Sequence, residues 1–242
     1  MRRLLIALLI VPTLALAACG DDGTVEEGDA GTTSTAAQTT ATADATATPE
    51  AESASALPEG CTDVDAPQPK GEQSLDAPKD RLDAGKTYTV TFTTNCGAFD
   101  VRLDVRGAPK TSASIAALVK DGFYDGLTFH RIVPGFVIQG GDPLGDGQGG
   151  PGYSVVEAPK SSARYTKGVV AMAKTQIEDP GTSGSQFFVV SGDDAGLPPD
   201  YAVLGKVTKG LGVVTRIESV PVGPGDVPLA PVVISKATLK VS

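Results

Sequence analysis

From Lys86 to the C-terminus the chain is a succession of short runs rich in β-branched and aromatic residues. Glycines punctuate them, and only two stretches of helical spacing interrupt them. Thr87-Tyr88-Thr89-Val90-Thr91-Phe92-Thr93 has the composition of a strand. Asn95-Cys96-Gly97 supplies a turn, and Phe99-Asp100-Val101-Arg102-Leu103-Asp104-Val105 alternates apolar and polar side chains, so a hairpin is expected. Residues 108–120 change to helical spacing, with Ile115, Leu118 and Val119 on one face and Gly122 as the stop. Further strand-like runs follow at 128–133, 136–139, 168–173, 186–190, 202–207 and 232–241, with a second helix around 210–217. Many short strands with Gly-rich turns and two helices argue for a mainly antiparallel barrel or sandwich, and against a doubly wound fold.

The first 57 residues are of another kind. Arg2 and Arg3 precede an apolar run from Leu4 to Leu16 that ends in Leu16-Ala17-Ala18-Cys19. A short positive segment, a hydrophobic core and small residues before a cut are the parts of a secretory signal, here 1–18. The run is short for a span of about 20 residues, and Pro12 interrupts it. Leu-Ala-Ala-Cys resembles a bacterial lipobox. That resemblance implies that the Cys19 thiol receives a diacylglycerol, whose two chains anchor stably at about 0.8 kcal/mol per buried CH₂. The stretch that follows, to residue 57, is mostly Ala, Thr, Ser, Gly, Asp and Glu, with Val25 the only large apolar residue before Leu57. It is expected to be a disordered tether with a reach of about 35 Å. The chain is therefore expected outside the cytoplasm, lipid-anchored to the cell membrane.

The net charge of −9 belongs largely to that tether: residues 19–60 hold nine of the 29 acidic residues and no Lys or Arg. The rest is nearly neutral and has no basic stripe, which argues against nucleic-acid binding. One histidine, His130, is too few for a histidine-rich metal site, and no metal is expected. Cys61 and Cys96 remain after Cys19. Outside the cytoplasm they are expected to form a disulfide pinning a pre-domain segment, 58–85, to the first hairpin. Two unconnected thiols are the alternative, because spacing does not prove geometry.

Gly122-Phe123-Tyr124-Asp125-Gly126-Leu127-Thr128-Phe129-His130-Arg131-Ile132-Val133-Pro134-Gly135-Phe136-Val137-Ile138-Gln139-Gly140-Gly141-Asp142 resembles the cyclophilin core signature. Two more blocks follow in family order: Gly168 to Ala173 with Gly184 to Val189, then Tyr201 to Val207. The resemblance implies a peptidyl-prolyl cis-trans isomerase domain over 86–242, folded as a closed antiparallel eight-stranded β-barrel with two α-helices. It implies proline-containing polypeptides as partners, no cofactor and a monomer. Arg131 would be the catalytic arginine, Phe136 and Phe188 the aromatic floor of a proline pocket, and Gln139 the residue positioning Arg131 and the peptide. Met172, Ala173, Gln186, Leu197 and Tyr201 fall at further pocket positions. Taken singly, Phe136, Met172 and Phe188 read as core and Arg131 as a solvated charge. A lone His130 in a strand reads as structural.

The chain departs from the family pattern at several places. Lys174 stands where an Asn is usual, and 176–180 looks like an acidic insertion. Gly196 lies where many eukaryotic members carry a Trp, and Tyr201 replaces a common His. These changes put tight cyclosporin binding in doubt. Gly145-Asp146-Gly147-Gln148-Gly149-Gly150 fits a dinucleotide fingerprint, but the extended Pro151 to Val156 follows where a helix is required. Asp142, Asp146, Asp193 and Asp194 lack the spacing of a calcium loop. The rival functional reading is a tethered proline-peptide binding module with little turnover. A solute-binding lipoprotein would need larger α/β lobes.

Overall fold

The computed structural model describes residues 57–242. The signal, Cys19 and the tether up to residue 56 lie outside them. The hairpin forms as β1 (Tyr88–Thr94) and β2 (Gly97–Leu103), with Phe92 opposite Phe99. Then come α1 (Pro109–Lys120), β3 (Leu127–Thr128), β4 (Arg131–Val133), β5 (Val137–Gly140) and β6 (Val155–Val156). After these follow β7 (Val169–Met172), β8 (Thr182–Ser183), β9 (Phe187–Val190), β10 (Val203–Lys209), α2 (Leu211–Glu218), a 3-10 turn (Pro224–Asp226) and β11 (Val233–Val241).

Nine strands form one antiparallel sheet in the order β3-β11-β1-β2-β10-β7-β9-β5-β4, and β6 pairs with β8 apart from it. The sheet curls but does not close, which corrects the expected closed eight-stranded barrel. The reason lies in the run expected as one strand over 128–133, which divides at Phe129-His130. Before the division, Leu127 and Thr128 pair with β11, and Phe129 N–H donates to Val232 O at 2.9 Å. After it, Arg131, Ile132 and Val133 pair with β5. The chain itself spans the gap between the sheet's two edges, so no ladder can form there.

The interior is aromatic. Phe92 stacks with Phe99 and Phe187 at centroid distances of 5.4 and 5.0 Å, and Tyr124 meets both Phe92 and Phe187 edge-on. Such pairs add about 0.5–1.5 kcal/mol beyond their burial. Helix α1 starts on Pro109, whose missing N–H is lost from a position that has no intrahelical partner. Ala108 offers no side-chain cap. The Glu157 carboxylate, 46 residues away, supplies it instead, accepting from Lys110 N–H and Thr111 N–H at 3.0 Å each.

Residues 58–85 are irregular but tied down. Cys61 and Cys96 form a disulfide. Thr62 N–H donates to Asn95 O, Lys70 N–H to Pro143 O and Leu75 N–H to Pro151 O, each at 2.8 Å. Lys70 Nζ donates to Phe123 O at 2.8 Å.

Candidate active site

Strand parity builds the site. In β4, Ile132 points into the core and Arg131 and Val133 point out; in β5, Ile138 points in and Val137 and Gln139 out. β9 sends Phe187 and Val189 in and Phe188 and Val190 out; β7 sends Val170 and Met172 in and Val169 and Ala171 out. The registers Arg131↔Gln139, Gln139↔Phe188 and Phe188↔Ala171 align four residues in one row across the outer face of four strands. A second, smaller core grows on that face from Val137, Tyr165, Ala171, Phe188 and Val190.

Above it lies a cavity of 180 Å³ lined by Arg131, Phe136, Gln139, Ala173, Phe188, Leu197 and Tyr201, together with Val137, Lys174 and Gln176. Two residues expected there sit elsewhere. Met172 is completely buried in the main core. Ala171 and Ala173 flank it, and alternation turns the residue between them inward. Gln186 lines a neighbouring cavity of 520 Å³, which shares Gln139, Ala173 and Lys174 with the first. Its amide is a strut: Nε2 donates to Gly147 O at 3.0 Å and to Gly149 O at 2.9 Å, and Oε1 accepts from Gln139 Nε2 at 3.0 Å. The Gly-rich loop is thus held as a wall. Asp142 inside it accepts from Leu144 N–H and Gly147 N–H, and Asp146 from Gln148 N–H, so these carboxylates are spent on the backbone.

Phe136 is delivered by the β4–β5 turn. Glu218 accepts from Gly135 N–H at 2.7 Å, while Ser191 N–H and Gly192 N–H donate to Phe136 O. The approach is so close that a Cβ on Gly192 would lie 2.0 Å from Gly135 O. Tyr165 was not anticipated from sequence. Its ring lies 6.3 Å from Phe188 and 6.0 Å from Tyr201, and its hydroxyl donates to Tyr201 O while accepting from Tyr201 N–H. Burial raises the pKa of that phenol, so it stays a neutral donor.

Lys174 folds over the rim, with Nζ donating to Thr175 O and Glu178 O at 3.1 Å and lying 5.5 Å from the Tyr201 ring centroid. Glu178 braces the same loop by accepting from Thr175 Oγ1 at 2.8 Å. The Arg131 side chain makes no hydrogen bond to the side chain of its cross-strand neighbour Gln139. Its Nη2 meets Asp226 Oδ2 at 3.1 Å, a partner 95 residues away. His130 lies outside the cavity lining; burial, opposed by Asp142 and Asp146, lowers its pKa below the usual 6.5. Neither of its ring nitrogens has a partner among the described residues. The arrangement offers an apolar slot with a permanent cation at its mouth. It suits binding and polarising a peptide bond more than proton transfer.

Comparison with known proteins agrees. The family model described as "Cyclophilin type peptidyl-prolyl cis-trans isomerase/CLD" matches residues 89–239. A peptidyl-prolyl cis-trans isomerase of Arabidopsis thaliana is 36% identical over 155 residues, covering 62% of this chain and 95% of the relative. One of Helicobacter pylori is 38% identical over 136 residues, covering 55% of this chain and 82% of the relative. Among solved structures, a cyclophilin type isomerase of Cryptosporidium parvum, determined in the presence of the dipeptide Ala-Pro, superposes with a TM-score of 0.59. It is 29% identical and covers 63% of this chain and 98% of its own. With a family match across most of the described residues, the chain belongs to the cyclophilin-type peptidyl-prolyl cis-trans isomerases.

Proposed function

We propose that this isomerase works tethered to the outer face of a membrane, where it accelerates rotation about X-Pro bonds in exported polypeptides. The observation that carries the catalytic part is the placement of Arg131 at the mouth of an apolar cavity, in the same cross-strand row as Gln139 and Phe188. Amide resonance holds an X-Pro bond behind a barrier of about 18–20 kcal/mol, and rotation requires no bond to be made or broken. Each 1.4 kcal/mol removed from the barrier is worth about tenfold in rate.

The proline ring enters between Phe136, Phe188 and Leu197, and shape alone holds it there. As the amide twists it loses resonance, and its nitrogen regains a localised lone pair and becomes a better acceptor. A fixed guanidinium donor binds that twisted form more strongly than the planar one, which is the condition for acceleration. Gln139, braced by Gln186 through its amide nitrogen, offers its amide oxygen to the peptide backbone beside the ring. Tyr201 closes the far side, and Lys174 narrows the rim towards the neighbouring cavity. The Ala-Pro dipeptide present with the Cryptosporidium relative supports an X-Pro peptide as the occupant.

The tethered location is supported by the Leu-Ala-Ala-Cys sequence, which places the cut just before Cys19, by the acidic tether and by the disulfide between Cys61 and Cys96. Cell fractionation tests it, together with assay of the purified protein on an Ala-Pro peptide. The wild type is expected with the membranes and active above the spontaneous rate, and Cys19→Ala in the soluble extracytoplasmic fraction. A Cys19→Ala protein that still sediments with membranes contradicts the lipid anchor.

A further inference from the structure

Asp226 is the one non-glycine residue with a positive φ, 63°, among the described residues. Left-handed backbone at a residue with a side chain is strained, and such strain persists only where surrounding structure holds it. Here it does. Pro224-Gly225-Asp226 forms the tip of a loop closed at its base by Gly223 N–H to Val227 O and Leu229 N–H to Pro221 O, both at 2.8 Å. Val222 and Pro228 bridge across the same loop. Asp tolerates this conformation better than most residues, so a turn alone would account for its presence. A turn does not account for its direction: the carboxylate reaches Arg131 Nη2 at 3.1 Å.

The other groups around Arg131 leave that contact alone in its task. Gln139, opposite Arg131 in register, makes its side-chain hydrogen bond to Gln186 and none to the guanidinium. No other hydrogen bond to the Arg131 side chain occurs among the described residues, and the side chain is 39% exposed. A long side chain held at neither end samples many rotamers, and a donor that must be fixed to favour a twisted amide loses its advantage when it wanders. The contact uses one Nη2 hydrogen and leaves the other guanidinium donors free for substrate.

We propose that Asp226 is the positioning residue of this site. It holds the Arg131 guanidinium over the proline cavity from a strained, rigid turn and acts on the reaction only through that arginine. The proposal rests on the reading of Arg131 as the group that engages the amide.

The test uses the full purified chain and an Ala-Pro peptide, with kcat and KM separated by NMR exchange measurements. It compares wild type, Asp226→Gly, Asp226→Asn and Arg131→Ala. Glycine accepts the turn's backbone without strain, so a thermal midpoint at or above wild type is expected for Asp226→Gly. Its kcat should fall about tenfold, with KM changed by less than twofold, and the Arg131 Nε–Hε signal should become mobile. Asp226→Asn keeps a short acceptor in place and should retain at least half of wild-type kcat and a rigid Arg131 signal. The proposal is overturned by an Asp226→Gly kcat within twofold of wild type, or by a fall accompanied by a lowered midpoint and an unchanged Arg131 signal. A full rate for Arg131→Ala removes the underlying reading and the proposal with it; a full rate for Asp226→Gly alone removes only the proposal.

Discussion

Arg131 and His130 are neighbours in sequence with opposite surroundings. Arg131 faces the cavity and keeps its charge in partial contact with water, whereas His130 is largely withdrawn from solvent and favours the neutral form. Because the folded pKa of His130 lies below 6.5, the unfolded chain takes up this proton first as pH falls. Its contribution to stability is therefore complete above pH 6.5 and is lost on acidification from there towards the lowered folded value. Denaturant unfolding of wild type and His130→Gln at pH 7.5 and 5.5 should show the wild type losing more stability than the variant; equal losses contradict this. That Arg131, Phe136 and Gln139 line one cavity was legible in the sequence because they lie in one continuous motif. Asp226 was not, since it stands 95 residues from its partner in a Pro-Gly-Asp turn that looks like any other.

The strands carry the site by alternation, and alternation also marks where the sequence reading of the pocket went astray. Position 172 sits between two outward residues of the same run, so its side chain must face the main core, where Met172 has no exposure. Met172→Ala is expected to cost about 2–5 kcal/mol in chemical unfolding, with KM for an Ala-Pro peptide changed by less than twofold. A raised KM at unchanged stability contradicts the assignment. The parity was present in the sequence, but resemblance to pocket positions overrode it. The division of 128–133 into two strands was less accessible, because every residue there is compatible with a strand. What separates them is the competition of β11 and β5 for its backbone. Helix α1 starts within a residue of its expected position, yet its cap comes from Glu157, which no local pattern announces.

At the scale of the molecule, an open curled sheet leaves its closure to a covalent connection, and segment 58–85 is strapped to the first hairpin's turn by the disulfide at Cys61 and to the loops at Pro143 and Pro151 by backbone bonds. The loop closed by Cys61 and Cys96 spans 35 residues. Removing that link should lower stability by about 4 kcal/mol through the freer unfolded chain. Thermal and urea unfolding of the Cys61→Ser, Cys96→Ser double variant check this, with kcat on a peptide expected to hold below the new midpoint. An unfolding midpoint equal to wild type contradicts the strap as a stabilising element. The disulfide was legible from cysteine arithmetic together with the expectation of an extracytoplasmic location. The path of the strap was not, because it is fixed by single backbone bonds to Pro143 and Pro151 rather than by any periodic pattern.

The central claim is that a fixed cation at the mouth of an apolar slot lowers the barrier to X-Pro rotation. The cis-trans exchange rate of an Ala-Pro peptide at saturating concentration, measured with wild type and Arg131→Ala, tests it most directly. The account predicts a loss of about 100-fold in kcat with an unchanged thermal midpoint. An Arg131→Ala rate within threefold of wild type contradicts it.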